Sequence, residues 1–290
     1  MRMKEAKNQL IREFRDKKLQ KPEFLARVLL EEVLFLSKID QITSDQEITN
    51  KQMNVLITAK KRMLAGEPLS YIVGRSAFRG LKLHVSKDVL IPRPETEELV
   101  DIIKPFVSDS CICIDIGTGS GAIAISLAKE TTCKHVYACD VSKKALKIAL
   151  ANIELTETKN KIQLFQIDAQ TKSFTHVLKE ICKEHHHKQL IIVANLPYIP
   201  TLDILKLKEN VRSFEPHLAL DGGKYGTEII KEVLLKIEEG IGKIPAHVFF
   251  EIDSTNITDL KKFISEKKYN LTFKKDLSSK TRFLIGTFNE

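Results

Sequence analysis

The run CICIDIGTGSGAIAISLAKE, residues 111–130, restricts the fold more than any other part of the chain. CICIDI reads as a buried strand, Gly117, Gly119 and Gly121 mark a tight turn, and AIAISLAKE returns to helical spacing. The same alternation continues through HVYACD, KIQLFQID, QLIIVAN and AHVFFEID, separated by helical stretches such as SKKALKIALANIEL. Strands alternating with helices imply right-handed crossovers and a mostly parallel sheet covered on both faces. The last two strand candidates, LTFKK and TRFLIGTF, lie only a few residues apart, so they are expected to form an antiparallel hairpin at one edge. The expected class is a Rossmann-like α/β sheet.

The N-terminal part differs. Residues 23–38 and 51–66 carry apolar residues at helical spacing, Thr43-Ser44-Asp45 followed by Glu47 resembles a helix N-terminal cap, and Gly66 with Pro68 ends the pattern. Without a strand signal, residues 1–68 read as a small all-α domain. SYIVGRSAFRGLKLHVSKDVLIP is rich in β-branched and aromatic residues broken by Gly74 and Gly80, so 69–91 reads as a β-hairpin linker. The sheet domain then occupies 92–290, opening with a helix over about 94–104. At ~100–200 residues per domain, a chain of 290 residues is consistent with that division.

Composition sets the remaining bounds. With 43% hydrophobic and 29% charged residues, and only 12 glycines and 9 prolines, disordered and collagen-like chains are excluded. No apolar run approaches the ~18 residues of a membrane helix, and charges interrupt the N-terminus where a signal peptide would be apolar. A soluble, cytoplasmic protein is expected. The five cysteines, at 111, 113, 133, 139 and 182, form no CxxC pair and fall mainly in strands. They read as structural thiols. His185, His186 and His187 lie in a polar stretch and read as a solvated turn, so no metal is expected. The net charge of +8 is spread over nearly every helix, without a basic tail. That pattern describes a lysine-rich surface and does not establish a nucleic-acid partner.

A ligand in an open α/β sheet binds at the carboxyl ends of the strands. Asp115, Gly117, Thr118, Gly119, Ser120 and Gly121 sit at such an end, and the glycines let backbone approach a ligand closely. Asp140 ends the next strand, where a carboxylate can accept both hydroxyl protons of an adenosyl ribose; Asp168 ends the third, within reach of the adenine. Gly117-x-Gly119-x-x-Ala122 also satisfies the loose dinucleotide fingerprint. Asp115 favours S-adenosylmethionine instead, because its methionine ammonium and its sulfonium are cationic whereas a pyrophosphate is not.

Asn195-Leu196-Pro197-Tyr198 follows the strand QLIIVA, beside the glycine turn if that strand neighbours CICIDI. An amide nitrogen is a poor nucleophile because its lone pair is delocalised, as the rotational barrier of ~18–20 kcal/mol shows. An enzyme that methylates it needs acceptors that grip its N–H groups and aim the lone pair. The Asn195 side-chain oxygen and the Leu196 carbonyl supply two, Pro197 stiffens the loop, and the Tyr198 ring can stack on a flat amide. Catalysis would then be positioning and electrostatic preorganisation, with Asn195, Pro197 and Tyr198 as catalytic residues.

DIGTGSG, Asp140 and NLPY together resemble the S-adenosylmethionine-dependent amino-methyltransferases, whose usual signature is Asn/Asp-Pro-Pro-Tyr/Phe. GEPLSYIVGRSAF (66–78), LIPRPETEELV (90–100) and VRSFEPHLALDGGKYG (211–226) resemble, more narrowly, the HemK-type peptide chain release factor glutamine methyltransferases. The resemblance implies a class I methyltransferase sheet behind a helical substrate-recognition domain. It implies methyl transfer to the side-chain nitrogen of the glutamine in a release factor's Gly-Gly-Gln motif. It assigns Gly117–Gly121 and Asp140 to the cofactor, with Asn195 at the boundary of both ligands, and Asn195, Leu196, Pro197 and Tyr198 to the glutamine. A release factor is the implied partner, with no stable nucleic-acid complex, no membrane and a monomeric state. Arg93-Pro94-Glu95-Thr96-Glu97 reads as a helix start, and the resemblance suggests that it also borders the substrate groove.

Two positions depart from the family pattern. Leu196 replaces the usual first proline, and Ala169 stands where an aromatic usually packs on the adenine. Alternatives at this point are N6-adenine methylation of nucleic acid, methylation of a ribosomal protein glutamine, nicotinamide-dependent oxidoreduction, and cofactor binding without catalysis.

Overall fold

The computed structural model describes residues 1–35, 47–185, 188–267 and 269–289. The chain forms two compact units: Met1–Arg75 with Glu209–Phe214, and Ser76–Lys208 with Glu215–Glu290.

The first unit is helical. Helices α1 (Met3–Asp16), α2 (Pro22–Leu34), α3 (Asn50–Leu64) and α4 (Leu69–Val73) turn one face of each inward. Met3, Ala6, Leu10 and Phe14 of α1 and Leu56, Ala59 and Met63 of α3 bury there at spacings of three and four. Helix α3 starts at a capping box in which Thr49 Oγ1 accepts from Gln52 N at 3.3 Å and Gln52 Oε1 accepts from Thr49 N at 3.0 Å. The cap expected at Thr43–Asp45 lies outside the described residues. This unit runs past the boundary drawn at residue 68, because Arg62 holds Glu67 through two hydrogen bonds and reaches the Tyr71 carbonyl at 3.1 Å.

The second unit opens with the hairpin β1 (Arg75–Phe78) and β2 (Leu81–His84), followed by α5 (Pro94–Ile103). Its sheet is built from β3 (Cys111–Ile116), β4 (His135–Asp140), β5 (Ile162–Gln166), β6 (Gln189–Ala194), β7 (Ala246–Glu251), β8 (Asn270–Lys275) and β9 (Thr281–Phe288). The strand order is β5-β4-β3-β6-β7-β9-β8, parallel except where β9 pairs antiparallel with β7 and β8. The edge hairpin and the parallel body are therefore as the strand spacing implies. Helices α5, α6 (Ala122–Glu130) and α7 (Lys143–Leu155) cover one face, where Cys111, Cys113, Ile191, Val193 and Phe249 point. Helices α8 (Lys172–Glu184), α9 (Glu228–Ile241) and α10 (Ile257–Lys267) cover the other, over Ile112, Ile114, Ile192, Val248 and Phe250. All five cysteines are free and buried.

Every residue of β3 is buried, which is why it reads as a continuous apolar run rather than an alternating one. His185 is more ordered than a solvated turn requires: its Nε2 lies 2.7 Å from the Tyr137 hydroxyl. Among the described residues no group of three or more metal-binding side chains occurs, and no helix is long and apolar enough to cross a membrane.

Candidate active site

Strand order reverses between β3 and β6, and this topological switch point opens the crevice. Their register pairs Ile116 with Ala194, so Gly117 and Asn195 leave the sheet side by side. Gly117, Gly119 and Gly121 have φ of +74°, +55° and +81°, a backbone that L side chains rarely adopt. A Cβ on Gly117 would lie 3.0 Å from Leu196 Cδ2, so the turn and the loop after β6 are in mutual contact. The Cys139 carbonyl accepts from both Gly117 N and Thr118 N at 2.9 Å, tying the turn to β4. Asn152, fully buried on α7, donates to the Ser120 carbonyl at 2.8 Å and exchanges two hydrogen bonds with the His84 backbone.

Three acidic residues end up in three different settings. Asp140 Oδ2 accepts from Gly119 N at 2.9 Å and Oδ1 from Ser142 N at 2.8 Å. A carboxylate oxygen accepts two hydrogen bonds, so Asp140 keeps capacity for two ligand hydroxyls. Burial raises its pKa, while the bonds from Ser142 and Gly119 pull it back. Asp168 stands across the crevice at the end of β5, its Oδ1 taking Gln170 N at 2.9 Å. Asp115 is elsewhere. Its side chain is wholly buried under the turn, Oδ2 accepting from Thr118 Oγ1 at 2.6 Å and Ala124 N at 3.1 Å. It does not line the crevice. Burial pushes its carboxyl up to about 7 against the two hydrogen bonds, and Oδ1 has no partner among the described residues.

Asn195, Leu196 and Pro197 line the crevice, as do Arg93 and Thr96 from the start of α5. Leu196 is 6% exposed and belongs to the core under α8 and α9, so the residue that departs from the family pattern anchors the loop by burial. The loop is backed by 220–226. Ile199 N donates to the Leu220 carbonyl at 3.1 Å, Gly222 N to the Ile199 carbonyl at 2.9 Å, and Thr201 N to the Gly223 carbonyl at 2.8 Å. Asn256, buried at the foot of α10, donates to the Tyr198 carbonyl at 3.0 Å. The Asp221-Gly222-Gly223 turn, legible in the sequence only as a turn, thus holds the Asn195–Tyr198 loop in place.

Tyr198, expected as an aromatic lid on the substrate amide, is half-buried and is not among the residues that line the crevice. Its hydroxyl donates to Glu251 Oε1 at 3.3 Å, and its ring packs against the core. Burial, with the Glu251 charge beside it, raises the Tyr198 pKa far enough that it remains a neutral hydroxyl. Glu251 ends β7, 1% exposed, and its Oε2 accepts from Thr96 Oγ1 at 2.7 Å. Thr96 Oγ1 in turn accepts from Asn195 Nδ2 at 3.0 Å. Burial raises the Glu251 carboxyl to about 6, opposed by the Thr96 hydrogen bond and the Arg282 charge.

Sequence reasoning missed Glu251 and the 87–92 segment on the crevice wall. An acid closing a buried strand was the available signal for Glu251, the same signal that singled out Asp140. For Lys87, Asp88 and Val89 no signal existed beyond proximity to LIPRPETEELV, the segment that itself contains Leu90 and Pro92. The crevice encloses a cavity of about 260 Å³. A glycine cradle, two acids at neighbouring strand ends and spare acceptor capacity on Asp140 fit an adenosyl group.

Residues 5–74 match the PrmC N-terminal domain family and residues 97–216 a methyltransferase domain family. The release factor glutamine methyltransferase of Lactococcus lactis subsp. lactis (strain IL1403) is 40% identical over 190 residues, 65% of either chain. That of Flavobacterium psychrophilum is 32% identical over 270 residues, 90% of either chain. Among solved structures, human methyltransferase 10 domain containing protein aligns with a TM-score of 0.49 at 16% identity, covering 72% of this chain and 89% of that one.

Proposed function

The chain belongs to the release factor glutamine methyltransferase family, and from that membership we propose that it methylates the side-chain nitrogen of the glutamine in the Gly-Gly-Gln motif of peptide chain release factors, with S-adenosylmethionine as donor. The observation that carries the reading is the pairing of β3 with β6, which sets Asn195 beside the glycine turn at one switch point. When bound, S-adenosylmethionine would supply a methyl group on a positively charged sulfur and leave as S-adenosylhomocysteine.

Each residue then has a task that its surroundings explain. The Gly117–Gly121 backbone, with Thr118 and Ser120, cradles the cofactor. Asp140 accepts the ribose hydroxyls, and Asp168 borders the base. Asp115 acts from beneath, bracing Thr118 and the first turn of α6. Asn195 Oδ1 and the Leu196 carbonyl accept the two N–H groups of the glutamine carboxamide. Two acceptors fixed in this way hold the amide plane and turn its nitrogen towards the donor, so the contribution is orientation and electrostatics rather than proton abstraction. Neither residue is a base. The proton released after methylation passes to water, since Tyr198 is neutral and turned to Glu251. Pro197 limits the loop's freedom, and Tyr198 fixes its far end.

The reading describes a metal-free, cytoplasmic, monomeric enzyme whose partner is a release factor and which forms no stable nucleic-acid complex. Incubation with S-adenosylmethionine labelled in its methyl group tests it. Label is expected in purified release factor and absent when the motif glutamine is replaced by alanine. Label entering RNA or DNA, or a ribosomal protein and not the release factor, refutes the substrate assignment. Thermal stabilisation by a nicotinamide dinucleotide and none by S-adenosylhomocysteine refutes the cofactor assignment.

A further inference from the structure

Two acceptors grip the substrate only if Asn195 presents its oxygen to the crevice. A carboxamide is nearly symmetric in shape, so nothing in packing distinguishes Oδ1 from Nδ2; a flipped Asn195 would set an N–H donor against the N–H of the substrate. Something must hold the correct face outward.

We propose that Thr96 and Glu251 do this, as a directional hydrogen-bond chain that fixes the Asn195 carboxamide with Oδ1 towards the substrate. The inference deepens the proposed function and rests on it for the substrate. The chain runs Asn195 Nδ2 to Thr96 Oγ1 at 3.0 Å, then Thr96 Oγ1 to Glu251 Oε2 at 2.7 Å. Thr96 is 4% exposed and Glu251 1%, so water does not compete for either. A carboxylate accepts and never donates. The single Thr96 hydroxyl proton is therefore committed to Glu251, and what Thr96 offers Asn195 is a lone pair. Only the NH₂ end of the carboxamide can use a lone pair. Polarity set by a buried charge passes through one hydroxyl to the amide, and Oδ1 is left for the substrate.

The second carboxylate oxygen is also engaged, by the Tyr198 hydroxyl at 3.3 Å. Glu251 thus touches Tyr198 directly and reaches Asn195 through Thr96. The titratable groups acting on it are Arg282 from β9, Glu95 from α5 and Tyr198 from the loop. Arg282 favours the charged form and is itself steadied by Asp253 and Asp276, at 3.4 and 3.5 Å. Thr96 and Asn195 line the crevice, and Glu251 is not among its lining residues. Thr96 and Glu251 act through Asn195 and are positioning residues.

The test compares wild type with Thr96→Val, Thr96→Ser and Glu251→Gln, using release factor and S-adenosylmethionine at pH 8. Valine keeps the shape of threonine and removes the hydroxyl; serine keeps the hydroxyl. Thr96→Val is expected to lower kcat by about 10- to 100-fold, with the affinity for S-adenosylhomocysteine within about twofold of wild type. Thr96→Ser is expected to restore kcat to within about threefold. Glu251→Gln can donate to Thr96 and so reverse the chain, lowering kcat as Thr96→Val does. The double variant is expected to lose no more than either single one. In the apo protein, one Asn195 side-chain NH₂ proton, assigned with Asn195→Asp, is expected to exchange slowly with solvent and to lose that protection in Thr96→Val.

A folded Thr96→Val protein with kcat within about twofold of wild type, or unchanged NH₂ protection, overturns the proposal. So does a Thr96→Ser protein as impaired as Thr96→Val, because shape and not proton direction would then matter. Wild type that leaves the release factor unmethylated overturns the substrate reading instead, and the NH₂ exchange still decides the orientation.

Discussion

Replacing Gly222 by alanine probes whether the 220–226 turn sets the height of the substrate loop. The substituted Cβ would lie 2.6 Å from the Pro197 carbonyl oxygen, 2.8 Å from Tyr198 Cα and 2.9 Å from the Gly226 carbonyl oxygen. All three are backbone atoms, so no side chain can swing aside. Ordinary contact begins at 3.4 Å, and 3.4 − 2.6 leaves a shortfall of 0.8 Å. Gly222 N and Gly223 O are hydrogen-bonded into the segment after Tyr198, so the two strands of backbone cannot simply part. A misplacement of ~1 Å costs on the order of 100-fold in rate where catalysis is positioning, and most of that loss is expected in kcat. The cofactor cradle belongs to β3 and β4, and none of the three clashing atoms lies in it, so affinity for S-adenosylhomocysteine should stay within about twofold. Steady-state kinetics at saturating substrates, with calorimetric titration of S-adenosylhomocysteine and a far-UV spectrum to confirm folding, separate these quantities. A folded variant with unchanged kcat would show that the 220–226 turn yields and the loop does not depend on it.

Other perturbations address single links of the argument. Asn195→Ala removes one preorganised acceptor and is expected to cost roughly 3–4 kcal/mol of transition-state stabilisation; turnover close to wild type would remove Asn195 from the mechanism. With Glu251 at about 6, kcat at saturating cofactor should rise as pH passes through that value and level off above it, as Glu251 ionises and commits the Thr96 proton; a flat profile from pH 5 to 8 contradicts this. Asp115 sits at about 7 against an ordinary 3.8. An acid raised on folding is fully tolerated below its unfolded pKa and penalised as pH climbs to its folded one. The apo protein should therefore lose up to about 4 kcal/mol between pH 4 and 7 from this group, a loss absent from Asp115→Asn in urea unfolding; equal pH dependence in both would refute it. Leu196→Pro should keep its rate and unfold more readily by about 1–3 kcal/mol, since buried methyl groups are lost; a collapse of activity would show that the leucine shapes the site.

What could be read from the sequence was what adjacent residues dictate. The strand, glycine turn and helix at 111–130 announce themselves because burial, positive φ and helical spacing are each local. Asp140 and Asn195 followed from one rule about strand ends. The Thr96–Glu251 bond joins residues 155 positions apart, and it exists because α5 packs where β7 ends. No spacing encodes that. Asp115 illustrates the opposite limit: its place in the sequence was right, but whether its carboxylate faces the crevice or the helix behind it is a rotamer choice, settled by Thr118 and Ala124. Tyr198 likewise could stack on a substrate or turn inward, and Glu251 turned it inward.

The central claim is that the Asn195 and Leu196 acceptors aim a glutamine carboxamide at a methyl donor. Fragment mass spectrometry of the release factor after incubation with enzyme and S-adenosylmethionine tests it most directly. The account predicts one added methyl on the glutamine side-chain nitrogen of the Gly-Gly-Gln peptide, abolished by Asn195→Ala. A methyl on any other residue, or an Asn195→Ala enzyme that still modifies that glutamine at the wild-type rate, would contradict it.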